Sequence, residues 1–387
     1  MSDVSGWRAA KTRTLMRSQT LDILCCPLCR GGLDITHRRA VSPEGRLRDG
    51  VLACRLCKTR YPVLSWVPRL ITPEAFTASE HAMLNACGKD RADSPSVIEE
   101  ERLSPAEIEN RIRRQVLDKV AYKGGSEKLR VRAEMDVEYR ISHTEEKGKF
   151  VRTADHYLAE PPKTILDLGG GQGGTLSAFR ERYKPETAIL LDIDPEWMEV
   201  AWLRDPDTEV IRGDANQMPF KDGSIDLLVS TATLEHLPRW RTSLEEMARV
   251  SRQGLLCYGP NGLFPYDFGH LDTPFVTWLP NGPASWVALL WHRLRRTGRT
   301  FDSMKNELEE TFYIPRPTVA RLLRRQGLNV KNAFSEFLKH SVEEGYHPRA
   351  GRLKRLLYRN PWMRRCFCGT LSFACMEPNV YLFYRRP

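Results

Sequence analysis

The stretch Thr164-Ile-Leu-Asp-Leu-Gly-Gly-Gly-Gln-Gly-Gly-Thr175 decides the fold. The apolar residues that surround Asp167 predict a buried parallel strand. Three glycines with the spacing DxGxGxG follow this strand: Gly169, Gly171 and Gly173. Because glycine has no Cβ, the backbone can turn sharply there and a ligand can touch it directly. A helix is expected from 176 to 183, and its first N–H groups would face that ligand.

A glycine-rich turn between a strand and a helix has two interpretations. The residues Gly169, Gly171 and Gly174 also read GxGxxG, which in a dinucleotide-binding fold holds a pyrophosphate. The acidic residues argue against that interpretation. Asp167 lies two residues before the first glycine, where dinucleotide folds prefer an apolar residue, and its carboxylate suits a ligand with a cationic amino-acid end.

Two further acids end the next two predicted strands, at Asp192 and Asp214. The carboxyl ends of adjacent parallel strands line one crevice, so the three carboxylates can hold three parts of S-adenosylmethionine. We expect Asp192 to accept the ribose hydroxyls and Asp214 to accept the adenine amino group, with a backbone contact from Ala215. Asp167 would lie near the methionine ammonium.

Three segments with this order and pattern carry a resemblance to class I S-adenosylmethionine-dependent methyltransferases: 192–201, 213–230 and Leu234-Glu-His-Leu237. The resemblance runs from about 163 to 262. It implies an α/β fold, a Rossmann-like seven-stranded methyltransferase sheet with helices on both faces. It also adds Ile193 to the cofactor-binding residues, and it implies later strands near 255–258, 328–334 and 380–384.

Two histidines are candidates for a catalytic base. Methyl transfer from a sulfonium needs an aligned nucleophile, and a base helps when the acceptor is a hydroxyl. His236 is the first candidate, although it also suits a histidine packed under the cofactor at the start of a helix. His270, in the segment after the fifth strand, is the second. After the fourth strand the chain does not read Asn-Pro-Pro-Tyr, which disfavours amide or amine methylation.

The N-terminal part of the chain contains two CxxC pairs, Cys26-Pro-Leu-Cys29 and Cys54-Arg-Leu-Cys57. Two such turns bring four thiolates together as a tetrahedron, which predicts a closed, structural Zn²⁺ site. The segment 20–72 resembles the small zinc-binding activator protein that partners several tRNA and rRNA methyltransferases. We therefore expect a small N-terminal zinc-ribbon β module ahead of the methyltransferase sheet.

Length and composition limit the class of protein. The chain has 387 residues, of which 41% are hydrophobic and 28% charged, as in globular proteins with two or three domains. There is neither an apolar run long enough to span a bilayer nor a secretory signal, so a cytoplasmic location is expected. Basic residues gather at the two ends: residues 1–70 hold 13 Lys and Arg against 5 Asp and Glu, and residues 346–387 hold 9 against 1.

We predict three regions: a zinc ribbon at 20–72, a helical linker or cap at 73–160 and the methyltransferase domain at 161–387. That domain carries insertions at 263–312 and 335–379. The first is aromatic and then abruptly basic, which suits a lid over the acceptor or a peripheral membrane contact. The second contains the basic cluster Arg349 to Arg365, which suits a phosphate-bearing acceptor.

Three functions remain open from the sequence. The first is methylation of a small-molecule, lipid-linked or glycan acceptor at oxygen. The second is an RNA methyltransferase with an in-cis zinc-ribbon activator, which the basic ends favour. The third is a binding module without catalysis, which the intact cofactor motif disfavours.

Overall fold

The structure of the chain is a computed structural model. It describes residues 18–43, 45–87, 95–98, 104, 106–107, 109–111, 113–114, 144–205, 207–267, 270–343, 360–376 and 379–385.

Seven strands between residues 164 and 385 form one sheet. Their bounds are β6 Thr164–Leu168, β7 Thr187–Asp192, β8 Glu209–Gly213, β9 Ile225–Thr231, β10 Ser251–Pro260, β13 Asn329–Asn332 and β14 Asn379–Arg385. Their spatial order is β13-β14-β10-β9-β6-β7-β8, and β14 runs antiparallel to both of its neighbours. The order of the sheet changes direction beside β6, where parallel sheets bind their ligands at the carboxyl ends of the strands. The predicted seven-stranded fold is confirmed.

Helices cover both faces of this sheet because successive strand residues point to opposite sides. On one face lie α6 Trp240–Val250 and α9 Arg316–Arg325, which pack on strand residues such as Leu166, Leu191 and Leu255. On the other face Ile165, Leu190 and other strand residues pack against four helices: α3 Thr144–Tyr157, α4 Gly174–Tyr183, α5 Pro195–Arg204 and α10 Phe334–Glu343. The two cores hold the strand ends in fixed positions.

The N-terminal module is a short helix followed by an antiparallel sheet. Its elements are α1 Ser18–Ile23, β1 Leu33–Val41, β2 Leu47–Cys54, β3 Arg60–Leu64 and β4 Val67–Leu70. A two-residue strand, β5 Ser96–Val97, pairs with β1 at the outer edge. The predicted β module at the N-terminus is confirmed.

Strand β4 joins this module to the larger sheet. It pairs in parallel with β8, with Arg69 opposite Arg212 and Leu70 opposite Gly213. The result is a continuous sheet of twelve strands. Residues from both parts, including Tyr61 and Phe220, share one hydrophobic cluster. The module is therefore part of the main core.

A buried ion pair locks the same junction. Helix α2, Ala78–Ala86, starts at a capping box in which Thr77 and Glu80 exchange hydrogen bonds. Arg212 Nη1 donates to Glu80 Oε1 and Oε2 at 2.6 and 2.7 Å, and both side chains are almost fully buried. Burial alone would raise the pKa of Glu80, but the Thr77 N–H and the Arg212 guanidinium together lower it.

The first insertion forms a small unit with a core of its own. It contains β11 Tyr266–Asp267, β12 Thr273–Pro274, α7 Asn281–Leu294 and α8 Phe301–Glu309. Leu271, Ala288 and Met304 are among the residues that pack together inside it. On the outside of α7, three apolar side chains with a spacing of four residues are exposed: Trp286, Leu290 and Leu294.

The second insertion is described in part. Helix α10 and helix α11, Pro361–Phe373, lie between β13 and β14. Of the basic cluster from Arg349 to Arg365, residues 349–359 lie outside the described residues. In the described part of the chain, no helix combines the length and the apolar composition that crossing a bilayer requires.

The junction predicts a stability difference. Replacing Glu80 by Gln leaves the Arg212 charge buried without its partner, and we expect a loss of about 3 kcal/mol in the free energy of unfolding. Because the pKa of Glu80 is lowered in the folded state, its contribution is complete above the ordinary carboxyl pKa. It is lost as the pH falls through the lowered value. Urea unfolding from neutral to acid pH measures this.

The control is Arg55→Ala, which breaks the exposed ion pair between Arg55 and Asp34. Exposed pairs contribute little, so this variant should unfold like the original chain. Equal stability of Glu80→Gln and the original chain at neutral pH would show that the junction does not depend on this pair.

Candidate functional site

The turn between β6 and α4 has a backbone that favours glycine. Gly169, Gly171 and Gly173 all have positive φ angles, of 67°, 51° and 78°. At Gly169 a Cβ would also lie 2.3 Å from the side chain of Thr233, so no other residue fits. Gly173 caps α4 without a side chain, and the first N–H groups of the helix border the turn. The predicted strand, turn and helix are thus present in the expected order.

Asp167 lies beside this turn with one oxygen unpaired. Its Oδ2 accepts a hydrogen bond from the Leu176 N–H at 3.1 Å, whereas Oδ1 is buried and has no hydrogen-bond partner among the described residues. Burial raises the pKa of Asp167 to about 7, although Lys147 acts to lower it. A buried carboxylate oxygen without a donor is stabilised by a hydrogen-bond donor, and most strongly by a cationic one. The ammonium of S-adenosylmethionine would supply one, so this residue fits the expected group.

Asp192 ends β7 and faces the same turn. Its Oδ2 accepts from the Gly171 N–H at 2.9 Å, and its Oδ1 accepts from the backbone N–H groups of Ile193 and Asp194. Burial raises its pKa. A carboxylate has about four acceptor positions, so room remains for a hydroxyl of the ligand. The Ile193 side chain next to it is 51% exposed, which leaves an apolar surface for an adenine ring.

Asp214 follows β8 and is held mainly by its own loop. Its Oδ1 accepts from both the backbone and the side-chain nitrogen of Asn216 at 2.8 Å, and its Oδ2 lies 3.6 Å from Arg239 Nη2. Ala215 is buried. Because β6, β7 and β8 are neighbours, the three predicted acids stand along one edge of the sheet.

Other residues at this edge were not singled out in the sequence. Gln172, inside the glycine turn, is buried, and neither atom of its amide has a hydrogen-bond partner among the described residues. Thr233 closes the turn from the other side, because its Oγ1 donates to the Leu168 carbonyl at 3.1 Å. The sequence did contain a signal for this residue, because Gln172 lies between Gly171 and Gly173 of the glycine turn.

The two predicted catalytic histidines lie side by side. His236 Nε2 and His270 Nε2 are 3.4 Å apart, although 34 positions separate the residues in the sequence. His270 Nδ1 lies 3.4 Å from Oδ1 of the fully buried Asp267, and His236 Nδ1 lies 3.1 Å from the Glu310 carbonyl oxygen. Glu235 belongs to the same group and is 2% exposed. Its Oε2 occupies the space into which a side chain at Gly259, near the end of β10, would project.

The four predicted cysteine ligands also converge. Cys26 Sγ is 3.6 Å from Cys57 Sγ, Cys29 Sγ is 3.4 Å from Cys54 Sγ, and all four sulfur atoms lie within 4.8 Å of one another. A tetrahedral zinc ion with Zn–S bonds of about 2.3 Å would place its sulfur ligands about 3.8 Å apart, so the cluster fits zinc. The Tyr61 hydroxyl, 3.0 Å from Cys26 Sγ, supports the cluster from the core.

Cys25, adjacent to this cluster, takes no part in it. It is buried, its N–H donates to the Pro219 carbonyl at 2.9 Å, and burial raises the pKa of its thiol to about 11. Cys25 is therefore a buried thiol outside the cysteine cluster.

Comparison with known protein families matches two segments. Residues 166–258 match the family described as "Methyltransferase domain", and residues 17–63 match the "Trm112p-like protein" family. The chain therefore carries a methyltransferase domain and a Trm112p-like domain. The first contains the glycine turn with Asp167, Asp192 and Asp214, and the second contains the four cysteines.

Individual relatives share only part of the chain. A methyltransferase of Mycobacteroides abscessus is 38% identical over 101 residues, which cover 24% of this chain and 37% of the relative. A phthiotriol/phenolphthiotriol dimycocerosates methyltransferase of Mycobacterium tuberculosis is 30% identical over 106 residues, covering 27% and 37%. The chain spans little more than a third of the length of these two relatives.

Among solved structures, the complex of the Haloferax volcanii Trm112 methyltransferase activator with a methyltransferase is similar at 20% identity. The match has a TM-score of 0.32 and covers 50% of this chain and 75% of that chain.

The cysteine cluster predicts a metal-dependent stability. Cys26→Ser should lower the zinc content by one ion per chain and lower the melting temperature, because the free energy of metal binding contributes to folding. Elemental analysis and thermal unfolding measure the two effects. Cys366→Ser, at an exposed cysteine of α11, is the control and should change neither. Identical melting of the Cys26 variant and the original chain would contradict a structural metal site.

The glycine turn predicts a binding loss at Asp192. Asp192→Ala removes an acceptor for the ligand and the anchor of the Gly171 N–H. The affinity for S-adenosylmethionine should fall by about tenfold or more, equivalent to roughly 1.4 kcal/mol. Calorimetric titration measures this. Asp155→Ala, which breaks an exposed ion pair with Arg182, should bind as before. Unchanged affinity in Asp192→Ala would reject the assignment of this residue.

Proposed function

We propose that this chain is an S-adenosylmethionine-dependent methyltransferase that acts on the oxygen of a small-molecule, lipid-linked or glycan acceptor. The observation that carries this proposal is the unpaired, buried oxygen of Asp167 beside a glycine turn in which a Cβ at Gly169 would collide with Thr233. The match of residues 166–258 to a methyltransferase domain supports the reaction class.

Each cofactor residue has a role in this proposal. S-adenosylmethionine, when bound, supplies an electrophilic methyl group on a sulfonium. Asp167 would pair with its ammonium, Asp192 would accept a ribose hydroxyl, and Ile193 would contact the adenine ring. The glycines Gly169, Gly171 and Gly173 would let the ligand lie against the backbone, and Asp214 with Ala215 would border the adenine.

The acceptor oxygen would be activated by His236 and His270. The segment Leu234–His236 follows Thr233, whose side chain packs on the glycine turn, so the pair stands next to the cofactor edge. The ring of His236 is exposed, and an acceptor can therefore reach it from solvent. Asp267 would orient His270 as a positioning residue.

The exposed stripe of α7 favours an acceptor at a membrane surface. Trp286, Leu290 and Leu294 are 64%, 62% and 73% exposed. Arg293 lies in the last turn of the same helix. An apolar stripe with arginine beside it suits the boundary between acyl chains and anionic headgroups. One relative is named as a phthiotriol/phenolphthiotriol dimycocerosates methyltransferase.

The domain division is part of the proposal. We place a zinc-ribbon domain at 20–72, a linker or cap at 73–160 and the methyltransferase domain at 161–387. The ribbon, with Zn²⁺ on Cys26, Cys29, Cys54 and Cys57, would serve as an in-cis brace of the sheet edge. The pairing of β4 with β8 and the ion pair of Glu80 with Arg212 support that role.

The experiment uses S-adenosylmethionine with a labelled methyl group. The purified chain is incubated with an extract of lipids and small molecules, in vesicles that contain phosphatidylglycerol, and labelled products are separated and identified. We expect a labelled, apolar hydroxyl-derived product. Cofactor binding without any labelled product from the extracts would favour a non-catalytic binding module and reject the proposal.

The membrane contact has its own variant. Leu290→Asp should reduce both the binding to anionic vesicles and the labelling of a vesicle-bound acceptor, with little change in cofactor affinity. Val97→Asp, at an exposed apolar residue of β5, is the matched control and should leave both unchanged. Full vesicle binding by Leu290→Asp would show that α7 does not face the membrane.

RNA methylation is the second candidate, and two observations favour it. The Trm112p-like domain resembles an activator of tRNA and rRNA methyltransferases. A cavity of 540 Å³ is lined by four arginines, which suit phosphate groups: Arg316, Arg321, Arg324 and Arg325. Label that enters bulk RNA and disappears with nuclease treatment would establish this candidate in place of the first.

A further inference from the structure

Three side chains on the acceptor side of the sheet form a compact group. His236 and His270 each offer a ring nitrogen, and Glu235 offers a carboxylate oxygen. These ligand atoms all lie within 4.8 Å of one another. The three residues come from two separate segments, the turn after β9 and the first insertion, so their meeting is a product of the tertiary fold.

The second nitrogen of each histidine determines where its proton lies. His236 Nδ1 faces the Glu310 carbonyl oxygen at 3.1 Å, and His270 Nδ1 faces Asp267 Oδ1 at 3.4 Å. A carbonyl and a carboxylate oxygen only accept hydrogen bonds, so both Nδ1 atoms carry the proton. In the neutral rings, both Nε2 atoms are then bare lone pairs.

The two Nε2 lone pairs lie near a buried carboxylate. The Nε2 atoms are 3.4 Å apart, Glu235 offers a carboxylate oxygen within 4.8 Å of a ring nitrogen of each histidine, and its Oε2 has no hydrogen-bond partner among the described residues. Acceptor atoms this close repel each other unless a cation lies between them.

The spacing of the two rings fits a shared metal ion. A tetrahedral ion with metal–nitrogen bonds of about 2.1 Å separates two nitrogen ligands by about 3.4 Å. The observed distance between the two rings has this value.

We propose that Glu235, His236 and His270 bind a divalent first-row transition-metal ion such as Zn²⁺ or Mn²⁺. Two imidazoles and one carboxylate favour such ions over Mg²⁺ and Ca²⁺, which prefer oxygen ligands. Asp267 and the Glu310 carbonyl are its outer shell, because they fix the tautomers and the orientation of the rings. This ion is separate from the zinc of the four cysteines.

The site has an open side toward the acceptor. Glu235 is buried, whereas the ring of His236 is exposed, so three protein ligands hold the ion and a further position stays free for an oxygen ligand. For its catalytic meaning the inference rests on the proposed function. An ion there would bind the acceptor hydroxyl, lower its pKa and hold it next to the glycine turn. The histidines then activate the acceptor oxygen as ligands.

Counting metal ions tests the proposal without any activity assay. The full chain and its variants are equilibrated by dialysis against zinc chloride, and total bound metal is measured by elemental analysis. We expect two zinc ions in the original chain, one on the cysteines and one on the new site. Glu235→Gln and His270→Ala should each retain one, and their affinity for the second ion should fall by about tenfold or more.

Two further variants separate the loss of a metal ligand from an effect on folding or on metal binding elsewhere. His236→Ala changes an exposed ring and should lose the second ion while keeping the melting temperature of the metal-depleted chain. His81→Ala, at an exposed histidine of α2, should retain both ions. A single zinc ion in the original chain, or a second ion that all three ligand variants retain, would overturn the proposal. If only one ion binds, a proton shared by the rings of His236 and His270 would take the place of the second ion.

The outcomes for the metal site and for the proposed function are distinguishable. Methyl transfer by a chain that binds only the cysteine zinc would reject the metal site and leave the proposed function intact. A second zinc ion in a chain that binds no S-adenosylmethionine would support the metal site and reject the proposed function.

Discussion

The geometry of the candidate site depends on the turn between β6 and α4. Three residues of that turn have positive φ angles, and Gly169 has no room for a Cβ because Thr233 fills that space. The turn holds α4 against β6, leaves Asp167 buried with one free oxygen, and gives Asp192 an N–H to accept from. The positions of the acids are therefore consequences of a backbone constraint. A side chain at Gly169 would displace Thr233 and, with it, the segment that carries Glu235 and His236.

The zinc ribbon acts on the same edge of the sheet from the outside. Strand β4 occupies the hydrogen-bonding positions of β8, which would otherwise be an unprotected edge strand. Strand β8 ends at Gly213, directly before Asp214, so the pairing steadies the loop that carries the third acid. The cysteine cluster, the buried ion pair of Glu80 with Arg212 and the loop of Asp214 are therefore connected through one edge of the sheet.

Much of the fold was predictable because its signals are local. The DxGxGxG spacing, the acid at each strand end and the two CxxC pairs lie within short segments, and the seven-stranded sheet followed from the resemblance that they carry. The two histidines were singled out one at a time, but no local pattern indicated that their Nε2 atoms would meet. The burial of Glu235 against Gly259 depends on packing, which no local pattern shows. The pairing of β4 with β8 could not be predicted either, since no local sequence pattern specifies which edge strands pair with each other.

The pairing of β4 with β8 also determines how the occupancy of this sheet edge depends on protein concentration. A separate activator must find its enzyme by diffusion, and its occupancy falls on dilution and under competition from other partners. Here both strands belong to one chain, so association is intramolecular and its effective concentration is set by the tether. Occupancy of the edge is then independent of protein concentration. A strand on a separate chain could replace β4 only at a concentration above that local value.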